Sequence, residues 1–379
     1  MSSSNDRVIA PDTHWPFLDL VRFVAALLVL FGHARGLFFE SIHQVVRPSV
    51  LTMAFYLVTG VQHEAVILFF VVSGFLVGGS VWTLIEQGQF RARLYLLNRF
   101  VRIYLVFIPA LALVAVIATA GADMLSDTRL YAERPLFPSG VNADWSWSQL
   151  PCHLAALQGL ACAPWGVDPP LWSLGYEWGF YLLAPAAFAA WCLPKRWAAR
   201  LLVVALLATT VVVLLPNYRD WQFWWGAWLL GAISLRVLVR GGVPVAAGLI
   251  GLALCGASLV ISRAAVLPGP VTDIGAAIGL ALALACPRIV SFNIAQRLVR
   301  RGAGLSYSLY LIHLPLVIFV GAILERTGWP KTLAPPGSQT YAAFACVVAA
   351  AIGAAYLFAK GTEDNTAAVR GWLRAYLGL

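Results

Sequence analysis

Charge is scarce in this chain. Asp, Glu, Lys and Arg make up 11% of its 379 residues, while 60% are apolar. Soluble domains carry ~25% charged residues, so a soluble globular protein is excluded and a membrane protein is indicated. Acidic residues are scarcer than basic ones, 17 against 26, which leaves a net charge of +9. A nucleic-acid partner does not follow. The basic residues lie in short clusters between apolar runs, as loops on the cytoplasmic side of a membrane protein do. Metal-ligand spacings are also missing: no C-x-x-C, no H-E-x-x-H and no acidic calcium loop occurs, so no metal is expected. The amino-terminal MSSSNDRVIAPDTHWP is polar and contains no short apolar stretch with a cleavage site. No signal peptide is therefore read, and the first span is expected to insert the chain. No strong internal repeat, low-complexity tract or long linker is seen, and no appended soluble domain is expected.

Apolar runs of helix length fill the sequence nearly end to end. The expectation is an all-α polytopic membrane protein with one integral-membrane domain of about ten transmembrane helices. The spans are placed at Phe17–Phe38, Ala65–Leu84, Ile103–Ala120, Leu171–Leu193, Leu201–Leu215, Trp221–Val239, Val243–Ile261, Val271–Ala285, Leu305–Ile323 and Tyr341–Phe358. The fifth and eighth are short for a hydrocarbon layer that takes ~20 helical residues to cross. Basic clusters follow alternate spans: Arg91 to Arg102, Lys195 to Arg200, Arg236 with Arg240, Arg288 to Arg301, and Lys360 to Arg374. The opposite side holds scattered arginines and one lysine. By the positive-inside rule both termini face the cytoplasm. The largest segment between spans, Gly121–Pro170, then lies outside. It carries Trp145, Trp147, Trp165 and the pair Cys152 and Cys162. A disulfide and two free thiols both fit that pair, and the other four cysteines look like apolar packing residues.

Arg22 and His33 sit in the first apolar run (FLDLVRFVAALLVLFGHARGLFF), eleven residues apart. That is about three helical turns, so both side chains share a face, separated by roughly 16 Å along the axis. An arginine within a span is costly, by at least ~2.5–3.5 kcal/mol near the centre, and usually marks a lined cavity. Asp19, three residues before Arg22, offers the alternative of a structural ion pair. For His33 the alternative is a packed histidine.

Four more segments carry polar groups. In FFVVSGF (Phe69–Phe75), Ser73–Gly74 reads first as close helix packing. In NRFVRIY, Arg99 and Arg102 are i, i+3 neighbours, suited either to topology and lipid headgroups or to phosphate capture by paired guanidinium forks. In PPLWSLGYEWGFYLLAP, Ser173, Glu177 and Tyr181 fall at intervals of four and line one stripe. A carboxylate such as Glu177 inside a span needs a partner or a wet cavity. Trp172 and Tyr181 suit substrate contact or interfacial anchoring. In LSYSLYLIHLP, Ser306, Tyr310 and His313 share one face, and His313 is a second intramembrane histidine.

Together these segments resemble the bacterial membrane acyltransferase-3 family, which O-acylates sugars. The resemblance runs from Phe17 to about Phe358. Arg22 and His33 meet its pattern of a basic residue, ten residues and a histidine. Arg99 and Arg102 meet R-x-x-R, Ser173 and Glu177 meet S-x-x-x-E, and FFVVSGF and SYSLYLIHLP look like its other recurrent segments. Many members carry an acidic residue just before the FF pair, where this chain has Ile67–Leu68, and Glu64 lies a turn away.

The resemblance implies an enzyme of the bacterial inner membrane with an acyl-CoA donor, acetyl-CoA above all, taken from the cytoplasm. It implies an acceptor met outside, a sugar hydroxyl in a glycan or lipid-linked sugar, and His33 as the catalytic residue. On that reading Arg99 and Arg102, with Arg91 or Arg93, hold the phosphates and Arg22 guides the pantetheine arm. His33 acts as general base, with an acyl-histidine as the alternative. Glu177 orients His33 or stabilises its charged form, and Ser173, Trp172, Tyr181, Tyr310 and His313 contact the acceptor. Beside the glycan stands a glycosylated small molecule such as a macrolide. Two other classes fit the same composition: a flippase of lipid-linked sugars, and a headgroup- or sterol-binding signalling protein.

Overall fold

The computed structural model describes residues 15–132, 147–164, 166, 168–192, 218–264, 266–292, 296–329 and 333–379. Among these, regular structure is helical, with only isolated bridges at Phe39–Ala334 and Gln158–Cys162. The principal helices are α1 (Pro16–Phe38), α2 (Val50–Val58), α3 (Gln62–Ser73), α4 (Gly79–Glu86), α5 (Ala92–Met124), α6 (Trp172–Cys192), α7 (Tyr218–Val239), α8 (Val245–Ala264), α9 (Gly269–Leu284), α10 (Gln296–Arg326), α11 (Ser338–Gly361) and α12 (Thr366–Leu377).

Every expected span that falls on described residues is a helix. The one at Leu201–Leu215, with Lys195, Arg196 and Arg200 before it, lies outside them, as do Trp145 and Trp165. Seven helical stretches are long and apolar enough to cross a membrane, and Gly269–Leu284 is a shorter apolar helix. Two of these twelve helices were not expected. Helix α2 begins at Ser49, whose Oγ accepts from the Thr52 amide at 3.1 Å, a side-chain N-cap that satisfies one orphan donor. Helix α12 is amphipathic rather than apolar, so an apolar-run search passes over it. Helix α5 also begins well before Ile103, because the arginine-bearing NRFVRIY segment is itself helical.

Contacts divide the chain into two compact units. One comprises Met1–Ala25, His63–Leu96 and Tyr176–Ala303, the other Ala26–Gln62, Leu97–Gly175 and Gly304–Leu379. In the first unit, α3 runs into α4 through a π-turn at Gly74–Gly78, where the Gly79 amide bonds back to the Gly74 carbonyl. Gly74 faces the backbone carbonyl of Trp228 on α7, and Gly231 of α7 faces the carbonyl of Val71. A side chain at either glycine would overlap that backbone, so Ser73–Gly74 does serve close helix packing. Gly74→Val is therefore expected to destabilise the protein by ~1–3 kcal/mol or more, the usual cost of overpacking. Thermal unfolding in detergent measures this, and an unchanged midpoint would show that α3 and α7 are not in contact there. Arg236 pairs with Glu86 in the same unit and lies over the Trp82 ring, which accounts for a basic residue that looked purely topogenic.

In the second unit an aromatic cluster ties the end of α1 to α2 and α11. Phe39 stands 5.0 Å from Phe55 and 5.1 Å from Tyr341, and Phe55 stands 5.2 Å from Phe344 (ring centroids). Such pairs add ~0.5–1.5 kcal/mol each beyond area burial. Cys152 and Cys162 form a disulfide. Cys255 and Cys286 are buried as packing residues, whereas Cys346 is exposed and Cys192 half-buried.

Candidate active site

His33 stands in the C-terminal part of α1, beside Gly32, whose missing side chain leaves room for Gln62. His313 lies on α10 two residues before Pro315 and is almost wholly buried. His33 Nδ1 and His313 Nε2 are 2.8 Å apart, with the rings nearly stacked at a centroid distance of 5.0 Å. His313 Nδ1 points at the carbonyl oxygens of Tyr310 (2.8 Å) and Leu309 (3.2 Å).

Carbonyl oxygens only accept, so His313 Nδ1 carries its proton. With both rings neutral, His313 Nε2 is the acceptor. His33 Nδ1–H then donates to it, and His33 Nε2 is the ring nitrogen that carries no proton. Protonating Nε2 keeps this hydrogen bond and makes it charge-assisted, hence stronger. An intramembrane histidine with its tautomer fixed in this way is set up as a base.

Two other expected residues join the pair within the same unit. Tyr310, three residues before His313, donates from its hydroxyl to the Pro170 carbonyl at 2.9 Å. Ser173 Oγ is 2.7 Å from the Tyr310 hydroxyl and 3.4 Å from the same carbonyl. The Pro169–Leu171 turn before α6 thus presents a carbonyl to both hydroxyls. Trp172 packs its Cα and Cβ against Gly159, which takes a positive φ of 80°.

Glu177 and Tyr181 belong to the first unit. Tyr181 donates to Glu177 Oε1 at 2.5 Å, Ser73 Oγ donates to the same oxygen at 2.7 Å, and Trp228 Nε1 donates to Ser73 at 3.2 Å. The intramembrane carboxylate therefore has its partners. Arg22 stands 3.8 Å from Asp19, the ion-pair arrangement. Glu64 is buried, and its Oε2 has no hydrogen-bond partner.

In the second unit Arg102 Nη1 is 2.9 Å from Glu363, and its guanidinium lies over the Tyr307 ring at 5.3 Å. Glu363 also accepts from the amide (3.0 Å) and hydroxyl (2.9 Å) of Ser308. Sequence reading missed Glu363, because an acidic pair (Glu363 and Asp364) between a span and the C-terminus looks like a solvated turn. It missed a group in the segment before α6 too: His153, Gln158 and Asp168 are fully buried. Neither Asp168 oxygen has a hydrogen-bond partner, and burial raises that carboxyl well above its usual range. Burial likewise lowers the His153 imidazole below its ordinary value. Among the described residues no cluster suited to a metal ion is present.

These features define a multi-pass membrane protein whose spans enclose a hydrogen-bonded histidine pair. The chain belongs to the acyltransferase-3 family, described as an acyltransferase domain, whose pattern matches residues 15–360. It is a membrane acyltransferase by that membership. No curated protein and no solved structure matches it.

Proposed function

We propose that the protein is an O-acyltransferase of the bacterial inner membrane, with both termini cytoplasmic. It moves an acyl group, acetyl first among the candidates, from cytoplasmic acyl-CoA to a sugar hydroxyl of an extracytoplasmic glycan. The observation that carries this reading is the 2.8 Å contact between His33 Nδ1 and His313 Nε2, which puts the His33 proton on Nδ1 and makes Nε2 the basic nitrogen.

In the proposed reaction His33 Nε2 takes the proton of the sugar hydroxyl as that oxygen attacks the thioester carbonyl. The carbon–sulfur bond breaks, and the departing thiolate takes the proton back from the imidazolium. The products are an ester and free coenzyme A, and His33 returns to its starting state. Proton transfer of this kind contributes ~10²–10⁴-fold in rate. His313 is a positioning residue in this scheme, and Ser173 and Tyr310 bind the acceptor. Arg99 and Arg102 take the donor's phosphates, for which paired guanidinium forks are well shaped. The reaction as written needs no step from Glu177, whose carboxylate is held by two hydroxyls, nor from Arg22, whose charge Asp19 offsets.

The test uses the purified full chain in liposomes with acetyl-CoA and a candidate glycan. Free thiol is expected to appear only when both substrates are present. Movement of a lipid-linked sugar across the bilayer with no acetyl-CoA consumed would instead make the protein a transporter and overturn the reading.

A further inference from the structure

Helix α12 lies beyond residue 360, where the family match ends. It follows α11 through a tight turn at Glu363–Asn365, and the inward-facing Glu363 fixes that turn to Arg102 and Ser308. From there α12 brings its own basic residues to the start of α5. Arg374 Nη2 donates to Asn98 Oδ1 at 2.8 Å. Arg370, four residues earlier, shares that face of α12. It lies within electrostatic range of Arg99, Arg374 and Arg102. All four arginines are half-buried.

Three further guanidinium groups thus lie within electrostatic range of Arg370, and one of them, Arg102, pairs with Glu363. Like charges at i, i+4 destabilise a helix, and partly desolvated ones repel more strongly still. The Nε atoms of Arg370 and Arg374 are buried and have no hydrogen-bond acceptor. Trp372 and Tyr376, also on α12, are exposed and stack on one another. A half-buried excess of positive charge with unspent planar donors suits an anion bearing several phosphates.

Resting on the acyl-CoA reading above, we propose that Arg370 and Arg374 of α12 complete, with Arg99 and Arg102, the site for the donor's phosphorylated end. That end carries a diphosphate and a separate ribose phosphate, so one pair of arginines cannot cover it. The C-terminal helix, outside the family's shared region, is then a donor-binding element of this chain.

The experiment measures equilibrium binding of coenzyme A and of dephospho-coenzyme A to the full-length protein in phosphatidylcholine nanodiscs. In the double variant Arg370→Gln/Arg374→Gln the Kd for coenzyme A is expected to rise about 10- to 100-fold, the scale of charge-assisted hydrogen bonds. Wild type is expected to prefer coenzyme A over its dephospho form, and the variant to lose that preference. In the acyl-transfer assay the loss appears in KM rather than kcat, and Arg370→Lys/Arg374→Lys recovers part of it. If the double variant fails to fold, Arg370→Gln alone keeps the Asn98 contact and carries the test.

Equal coenzyme A affinity in wild type and variant overturns the assignment of α12 and leaves the donor reading standing. The assignment also fails if the variants differ only in stabilisation by phosphatidylglycerol, which would make the arginines a lipid-headgroup site. Absence of coenzyme A binding in the wild type overturns the donor reading and this proposal together.

Discussion

His33→Ala is expected to remove acyl transfer, by about 10²–10⁴-fold in kcat, with the protein present in the membrane at its normal level. The size of the effect follows from what the side chain is asked to do. A sugar hydroxyl is a poor nucleophile until its proton is taken during attack, and within the histidine pair His33 Nε2 is the imidazole nitrogen left basic. Alanine leaves a cavity beside Gly32 but disturbs no ion pair of the unit, so folding should survive. His33→Gln keeps the volume and a donor toward His313 but has no basic nitrogen, and it should be as inactive as His33→Ala. Full activity in either variant, measured as ester formed per molecule of membrane protein, would remove His33 from the mechanism.

The second large effect is expected at His313. In His313→Leu the His33 Nδ1–H loses its acceptor, the ring is free to turn, and the proton can move to Nε2. Loss of the group that fixes a catalytic histidine's tautomer costs up to about 10⁴-fold in hydrolases that use a carboxylate for that task. The loss here should lie in kcat, with KM for the donor little changed. His313→Gln is the discriminating variant. Its amide oxygen can accept from His33 Nδ1, so it should retain more activity than His313→Leu. If the two variants were equally impaired and equally unstable to heat, His313 would be a packing residue and no more.

Much of the fold was legible because a bilayer demands long apolar helices and permits little else. The spans from Phe17 to Phe38 and from Tyr341 to Phe358 reappear as α1 and α11 with ends shifted by a few residues. Helix α12 was not legible, since its sequence alternates basic and aromatic residues and carries no apolar run. The site was legible in parts. Spacing alone put Ser173 with Glu177, and Tyr310 with His313, on common faces. Spacing cannot say what each face meets, and here it misleads: Ser173 bonds Tyr310, whereas Glu177 bonds Ser73 and Tyr181. His33 and His313 are separated by 280 residues, and a single sequence carries no signal that pairs them. Arg370 and Arg374 looked like topology determinants because charge near a span end usually is. Only the turn at Glu363 brings them to Arg99 and Arg102.

The most direct test of the account follows radiolabelled acetyl from acetyl-CoA onto the glycan in nanodiscs holding equal amounts of wild type or His33→Ala. The wild type is predicted to form one labelled sugar ester per coenzyme A released, and His33→Ala to form none above background. Label transferred by His33→Ala at the wild-type rate would contradict it.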